Sequence, residues 1–516
     1  DFRSQGNPLR SVAEVLDAQR LSQPLGGVDG QHHGGAAGRG GAQRYRCRGG
    51  GLTDRELEYR SSRLGDSFSE AGYGVGDRIA TLTGNSADHV VLFFAGAKAG
   101  LVLVPLFLFL CALTASCGGD SDNQPGADEL TEAVQPLPLP GPYAVASSNV
   151  AQDFTRVGSG EDVTSYWEGL PSDDGAARYV TDLLAEPDNT LIATVTAPQD
   201  SDLYGDFAGQ EVEFVVLVCY PTTSDNPRPD YPLDPPQTDV VLPHMQTGLE
   251  GPLFADDSAR YPIVVFSHGY MGSPISSNDY FFAVTVLASY GYVVIAPFHG
   301  DLRFSNLNIE EIDDAIAVAL NLENFTAMQA LRPLSISAAL DLVLAHPQWA
   351  DHLDEIQIGG FGASMGGETM LLLCGAGLTT SYFDLGSSWE QITLDERIKA
   401  AVGYVPYFGQ PVLPAFGRNQ RGLDGIALPF LGISGTADTT APITEAENGI
   451  SRLSGTRRLV ALSGVEHEFD DASSGDIFTW TLTFLDAEVR GDQEAAGRLS
   501  TMGSVEGGGD DSVLVF

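Results

Sequence analysis

Past residue 255, short apolar runs closed by glycine, serine or aspartate alternate with longer, helix-like ones. The short runs predict strands at 261–266, 292–296, 356–361, 398–405, 428–434 and 458–462. The longer ones predict helices at 277–290, 334–345, 365–374 and 477–489. Strands and helices in alternation imply an α/β domain over 141–490, built on a doubly wound, mostly parallel sheet. The acidic, helix-like stretch 309–331, together with 378–395 and 410–423, reads as insertions that overhang one rim of the sheet. The glycine- and acid-rich segment 491–516 reads as a tail without structure past Thr501.

Four segments within this frame carry candidate chemistry: Ser267-His268-Gly269-Tyr270, Gly362-Ala363-Ser364-Met365-Gly366, Gly435-Thr436-Ala437-Asp438 and Glu466-His467-Glu468. The second has the Gly-x-Ser-x-Gly form, whose small residues let the backbone turn sharply from strand to helix with the serine at the apex. A strand is predicted before it and a helix after it, the context this form requires. Asp438 and then His467 follow downstream, in the order Ser, Asp, His.

A serine hydroxyl is a poor nucleophile at neutral pH, so an imidazole must take its proton during attack. His467 is the candidate base, and Asp438 the residue that would orient its ring. The backbone N–H groups of Tyr270 and Met365 are the candidate donors to an oxyanion. His244, His268, His299, His346 and His352 are rivals to His467 by position. Of these, His268 reads as a buttress of its own loop and His299 as the cap of a strand end. Asp470 and Asp471 compete with Asp438, but they follow His467 and break the usual order.

On these residues, 141–485 resembles the serine-esterase branch of the α/β-hydrolase fold, and most of all platelet-activating-factor acetylhydrolase-like and cutinase-like (polyester hydrolase) enzymes. Gly141-Pro142-Tyr143-Ala144-Val145 and Leu217-Val218-Cys219-Tyr220-Pro221 resemble that group's opening strands, and 262–270 its oxyanion segment. Asp438-Thr439-Thr440-Ala441-Pro442 resembles the cutinase acid loop. The resemblance implies hydrolysis of carboxylic esters of short-to-medium acyl length through a Ser364–His467–Asp438 triad, without cofactor or metal. It also implies substrate contact by Tyr270, Tyr407 and Ala363; the cutinase-like group usually has histidine or tryptophan where Ala363 stands. Polyester cleavage or removal of a phospholipid's short acyl chain are the alternatives on the same fold, and a non-catalytic lipid-binding lipoprotein is a third. The insertions over the rim argue against a polymer, which needs an open groove.

Charge divides the chain in two. Residues 1–104 hold 11 acids and 12 bases, while the rest holds 58 acids and 15 bases. Such a break suggests two origins. Gly74-Val75-Gly76-Asp77-Arg78-Ile79-Ala80 and Phe93-Phe94-Ala95-Gly96-Ala97-Lys98-Ala99-Gly100 resemble the amino-terminal part of adenylate-forming acyl-CoA synthetases. The lysine-tipped phosphate loop of that family is missing, since Lys98 and Lys399 are the only lysines and neither follows a glycine-rich loop. Residues 1–104 therefore read as a synthetase-like fragment without its chemistry.

Between the two parts, 99–116 carries no charge and runs into Leu113-Thr114-Ala115-Ser116-Cys117 and a polar, glycine-containing tether. This resembles a bacterial lipoprotein signal, with Cys117 as the lipidated residue and 105–140 as signal and tether. The expectation is a synthetase fragment fused to a secreted or lipid-anchored, monomeric esterase beginning near Leu106, with a true internal membrane anchor as the alternative. The acidic balance excludes nucleic acid as a partner, because binding phosphates takes a basic surface. Cys219 and Cys374 read as buried thiols rather than a disulfide, and no metal-ligand spacing of histidine and cysteine occurs.

Overall fold

The computed structural model describes residues 132–172, 178–233, 240–305, 322–379, 389–409, 415–469 and 471–516, together with Leu130 and short pieces nearer the start. The chain divides into two compact units, Asp1–Asp122 and Asn123–Phe516, and the division falls inside the segment expected to be signal and tether. In the first unit, Arg44–Tyr45 pairs antiparallel with Leu52–Thr53, and Arg78–Thr81 pairs parallel with Val102–Pro105. The start of the uncharged run is thus a strand. Cys117, with 106–129, lies outside the described residues.

The second unit is built on a ten-stranded mixed sheet. Its strands are β1 (Ala144–Ser147), β2 (Ile192–Thr196), β3 (Glu211–Thr222), β4 (Tyr261–Ser267), β5 (Val293–Pro297), β6 (Leu353–Ala363), β7 (Ile398–Tyr404), β8 (Phe430–Gly435), β9 (Arg457–Leu462) and β10 (Asp511–Val515). They lie in the order β10-β9-β8-β7-β6-β4-β5-β3-β1, with β2 paired to β3. Six central strands, β5-β4-β6-β7-β8-β9, are parallel. The flanking pairs are antiparallel.

Burial on both faces explains the unbroken apolar runs of these strands. In β3, Val216, Val218 and Tyr220 face one hydrophobic layer while Val215, Leu217 and Cys219 face the other. In β4, Ile263 and Val265 divide from Val264 and Phe266 in the same way. Helices cover both faces. Those named below are α1 (Asn278–Ser289), α2 (Leu322–Ala345), α3 (Met365–Leu373), α4 (Ile443–Ile450), α5 (Ser474–Glu488) and α6 (Gln493–Thr501). Side chains of α2, α3 and α4 fill one layer, and those of α1 and α5 the other. Burial also pushes the thiols of Cys219 and Cys374 up, and both are free.

Strand order reverses at β4, which connects to β5 on one side while β6 lies on the other. In open α/β sheets this switch opens a crevice outside the carboxyl ends of the two strands. Ser267 and Gly362 are register partners there, so the segments 268–271 and 363–366 leave the sheet side by side.

Three expectations are corrected. The helix predicted at 334–345 starts at Leu322 and passes through Pro333, so 322–331 belongs to a core helix rather than to an insertion over the rim, while 309–321 lies outside the described residues. Proline removes one backbone donor and kinks a helix, but burial of the apolar turns on either side keeps this one continuous. It is long and apolar enough to cross a membrane, yet it packs within the core. The segment 491–516 is also ordered. It forms α6, then the strand Met502–Val505, parallel to Glu132–Val134, and then β10 on the sheet edge. Asp492 caps α6 by accepting the N–H groups of Glu494 and Ala495. Strand Glu132–Val134 likewise orders part of the expected tether.

Candidate active site

Ser364 stands between β6 and α3 at φ +53°, ψ −118°. L-residues avoid this region, and holding one there costs roughly 1–3 kcal/mol, met by surrounding structure. Here the supports are visible. The Ser364 N–H donates to the Tyr404 carbonyl at 2.9 Å, and its own carbonyl accepts N–H bonds from Gly367 and Tyr407, both at 2.9 Å. The glycines are required by close approach. A β-carbon on Gly362 would stand 2.1 Å from the Gly366 carbonyl oxygen, and one on Gly366 would stand 2.0 Å from that of Ser267. The strand-to-helix turn therefore holds only with these residues bare.

His467 and Asp438 meet the serine from the neighbouring strands. Asp438 follows β8, and His467 follows β9 through a turn at Gly464, whose φ is +76°. His467 Nε2 lies 3.0 Å from Ser364 Oγ, and Nδ1 lies 2.8 Å from Asp438 Oδ2. The other carboxylate oxygen, Oδ1, accepts the N–H groups of Thr440 and Ala441, each at 2.8 Å. A carboxylate at Nδ1 makes that nitrogen the donor, leaving Nε2 with a lone pair for the serine proton. The Asp438 side chain is fully buried, while that of His467 is 22% exposed, so the line runs from the interior toward solvent.

The other expected residues fall around this line. A β-carbon on Gly269 would be 3.5 Å from Ser364 Cβ, which places the 268–270 loop against the serine. Met365 opens α3, and its N–H is one of the first four that no carbonyl of the same helix can accept. The Tyr270 phenol hydrogen-bonds Ser305 Oγ at 2.9 Å, and its ring packs edge-on against Phe325. Ala363 and Tyr407 are buried, and Tyr270 is partly exposed. Among the described residues, the histidine hydrogen-bonded to Ser364 is His467. His268 and His299 are buried behind the loop: His268 Nδ1 donates to the Gly269 carbonyl, and His299 bridges Ser267 and Ser335. Burial first, and the Arg332 charge second, push both histidines well below the ordinary imidazole value. Asp471 lies in a short helical turn past His467, and Asp470 is outside the described residues.

Three contributors had no signal in the motifs. Tyr404, last in β7, donates its phenol to the Glu468 carbonyl at 2.9 Å and stacks on Phe469, bracing the segment that carries His467. Asp301 and Arg332 form a buried ion pair behind the 268–271 loop.

Comparison with known proteins finds two families on separate stretches of the chain. The family described as platelet-activating factor acetylhydrolase, isoform II, matches residues 244–306, a stretch that holds β4, the 268–271 loop and β5. The family described as AMP-binding enzyme matches residues 35–112. An acyl-CoA ligase of Beauveria bassiana (strain ARSEF 2860) is 41% identical over 54 residues, 10% of this chain and 9% of that protein. The chain thus spans about a tenth of the length of this curated relative. The first match supports a hydrolase of phospholipase or esterase type; the second is partial.

Proposed function

We propose that the second unit is a serine carboxylester hydrolase of the α/β-hydrolase fold. The observation that carries this reading is the unbroken line Ser364–His467–Asp438, with bonds of 3.0 and 2.8 Å and the serine held at a positive φ. In the first half-reaction, Ser364 Oγ attacks the ester carbonyl carbon while its proton passes to His467 Nε2. Asp438 stabilises the imidazolium through Nδ1 and remains a carboxylate. The tetrahedral oxyanion is taken by the N–H groups of Met365 and Tyr270. Collapse expels the alkoxide, which receives the proton from His467 and leaves an acyl group on Ser364. Water then gives a proton to His467, attacks the acyl carbon and releases the acid, and the proton returns to Ser364.

The substrate class is a short-to-medium acyl ester. The match of 244–306 to the acetylhydrolase family favours a phospholipid-like ester with a short acyl chain over a polyester. Cleavage at the segment before Cys117 and its lipidation would tether this unit to a bacterial envelope, a proposal that rests on sequence alone. Release of p-nitrophenol from short-chain esters by the full chain and by Ser364→Ala tests the enzymatic reading. Equal rates would leave a lipid-binding protein without catalysis.

A further inference from the structure

We propose that the Arg332–Asp301 ion pair is the positioning device of the 268–271 loop, setting the Tyr270 N–H for the oxyanion; the proposal rests on the hydrolase reading above. Arg332 lies in the middle of α2 and Asp301 in the turn after β5, with Nη1 to Oδ2 at 3.0 Å. Arg332 Nη2 donates to the His268 carbonyl and, at 3.3 Å, to Ser267 Oγ. Asp301 Oδ2 also accepts the Met271 N–H at 3.0 Å. One charge therefore grips the loop just before Gly269-Tyr270, and the other grips it just after. Met271 is held at φ +58°, a left-handed conformation in which its N–H meets the carboxylate. Inside this grip, His268 Nε2 accepts the His299 N–H at 3.2 Å, and the Tyr280 hydroxyl packs against Gly269, where an added β-carbon would lie 2.4 Å from it.

Stability does not account for this pair. Taking two charges out of water is costly, and replacing a buried ion pair with apolar residues of similar volume is often neutral or stabilising. Both side chains are at most 2% exposed. Arg332 Nε and Asp301 Oδ1 lack hydrogen-bond partners among the described residues, an added cost that an apolar pair would not carry. What apolar residues could not do is hold a carbonyl and an N–H at fixed positions on either side of Tyr270.

The test uses the full chain carrying the apolar pair Arg332→Met with Asp301→Leu, and separately Arg332→Lys. Each is measured for melting temperature, for kcat and KM on p-nitrophenyl butyrate, and for the rate of phosphonylation by a p-nitrophenyl alkylphosphonate, which builds a tetrahedral oxyanion on Ser364. The double variant is expected to melt within a few degrees of wild type and to keep KM within about threefold. Its kcat and phosphonylation rate should fall together, by about 100-fold, the loss seen when one oxyanion donor is removed. Lysine keeps the charge but not the fork, so Arg332→Lys should lose kcat at unchanged KM even if the double variant fails to fold. Unchanged kcat in Arg332→Lys, or in a folded double variant, overturns the proposal alone. Wild type without Ser364-dependent turnover would overturn the hydrolase reading, and this proposal with it.

Discussion

Tyr404 holds Ser364 by its backbone: the Tyr404 carbonyl accepts the serine N–H at 2.9 Å, across the register pair Ala363–Tyr404. The same residue reaches the histidine segment through its phenol, 2.9 Å from the Glu468 carbonyl. One residue therefore links Ser364 to the segment that carries His467. In Tyr404→Phe the ring still stacks on Phe469 but that hydrogen bond is lost, an interaction worth about 1 kcal/mol. We expect kcat to fall about fivefold with KM unchanged, read by steady-state kinetics on p-nitrophenyl esters. An unaltered kcat would remove Tyr404 from the positioning of His467.

Replacement of Asp438 by Asn keeps the shape of the acid but not its charge. The two N–H bonds from Thr440 and Ala441 can persist, so the fold should survive. The amide would present either a donor or a neutral acceptor to Nδ1, which disfavours the tautomer that leaves Nε2 free. A loss in kcat of about 10³–10⁴-fold is expected, by analogy with the same change in other serine triads. Retention of a tenth of the activity would exclude Asp438 as the orienting acid.

Gly366→Ala places a methyl group 2.0 Å from the Ser267 carbonyl oxygen, on backbone that has nowhere to retreat. Either α3 or β4 must shift, and a displacement of about 1 Å at the reacting centre costs on the order of 100-fold. We expect a lower melting temperature and at least that loss of kcat. Circular dichroism melts and ester kinetics check the two parts separately, and a variant equal to wild type in both would contradict the geometry of the turn.

His268 and His299, neutral and buried in the folded chain, bind protons on unfolding once the pH drops below about 6.5. The unfolded state then holds more protons than the native one, so stability rises with pH through this range. Their contribution is complete above about pH 6.5 and is lost as the pH falls toward the depressed native values. The slope is at most about 1.4 kcal/mol per pH unit for each residue. Denaturant unfolding between pH 4.5 and 7.5 should show a steeper dependence for wild type than for His299→Gln. Identical slopes would show that His299 is protonated to the same extent in both states.

Ending the chain after Asp510 removes β10 and the Asp511 carboxylate, which accepts the Trp480 indole N–H at 2.6 Å. Trp480 is fully buried, so its donor would lose its partner at a cost of about 1–3 kcal/mol. The bared edge of β9 would also invite strand pairing between molecules. We expect a melting temperature several degrees lower and light scattering on heating. A truncated chain as stable and as soluble as the full one would show that β10 is dispensable.

The central sheet was legible because its strands are apolar on both faces, a pattern that polar loops interrupt clearly. Ser364, Asp438 and His467 stood out by order and spacing, and the structure puts them in one hydrogen-bonded line. The course of α2 was not legible: Arg332-Pro333 in the middle of an apolar run reads as a boundary, because a charge and a missing donor both argue for an end. Asp301 gave no sign of its partner, which lies 31 residues away on another element. Tyr404 was hidden for a different reason, since half of its role belongs to a carbonyl that every residue possesses. The strands after Thr501 were missed because glycines and acids dominate there, and an edge strand needs few apolar side chains.

The parallel pairing of Glu132–Val134 with Met502–Val505 has a consequence for biosynthesis. On the ribosome the earlier strand emerges long before its partner exists, and β9 waits in the same way for β10. Ser364, Asp438 and His467 are all translated while the sheet still has an open border. A nascent chain of the second unit stalled before residues 502–515 would therefore expose two unpaired strand edges to chaperones.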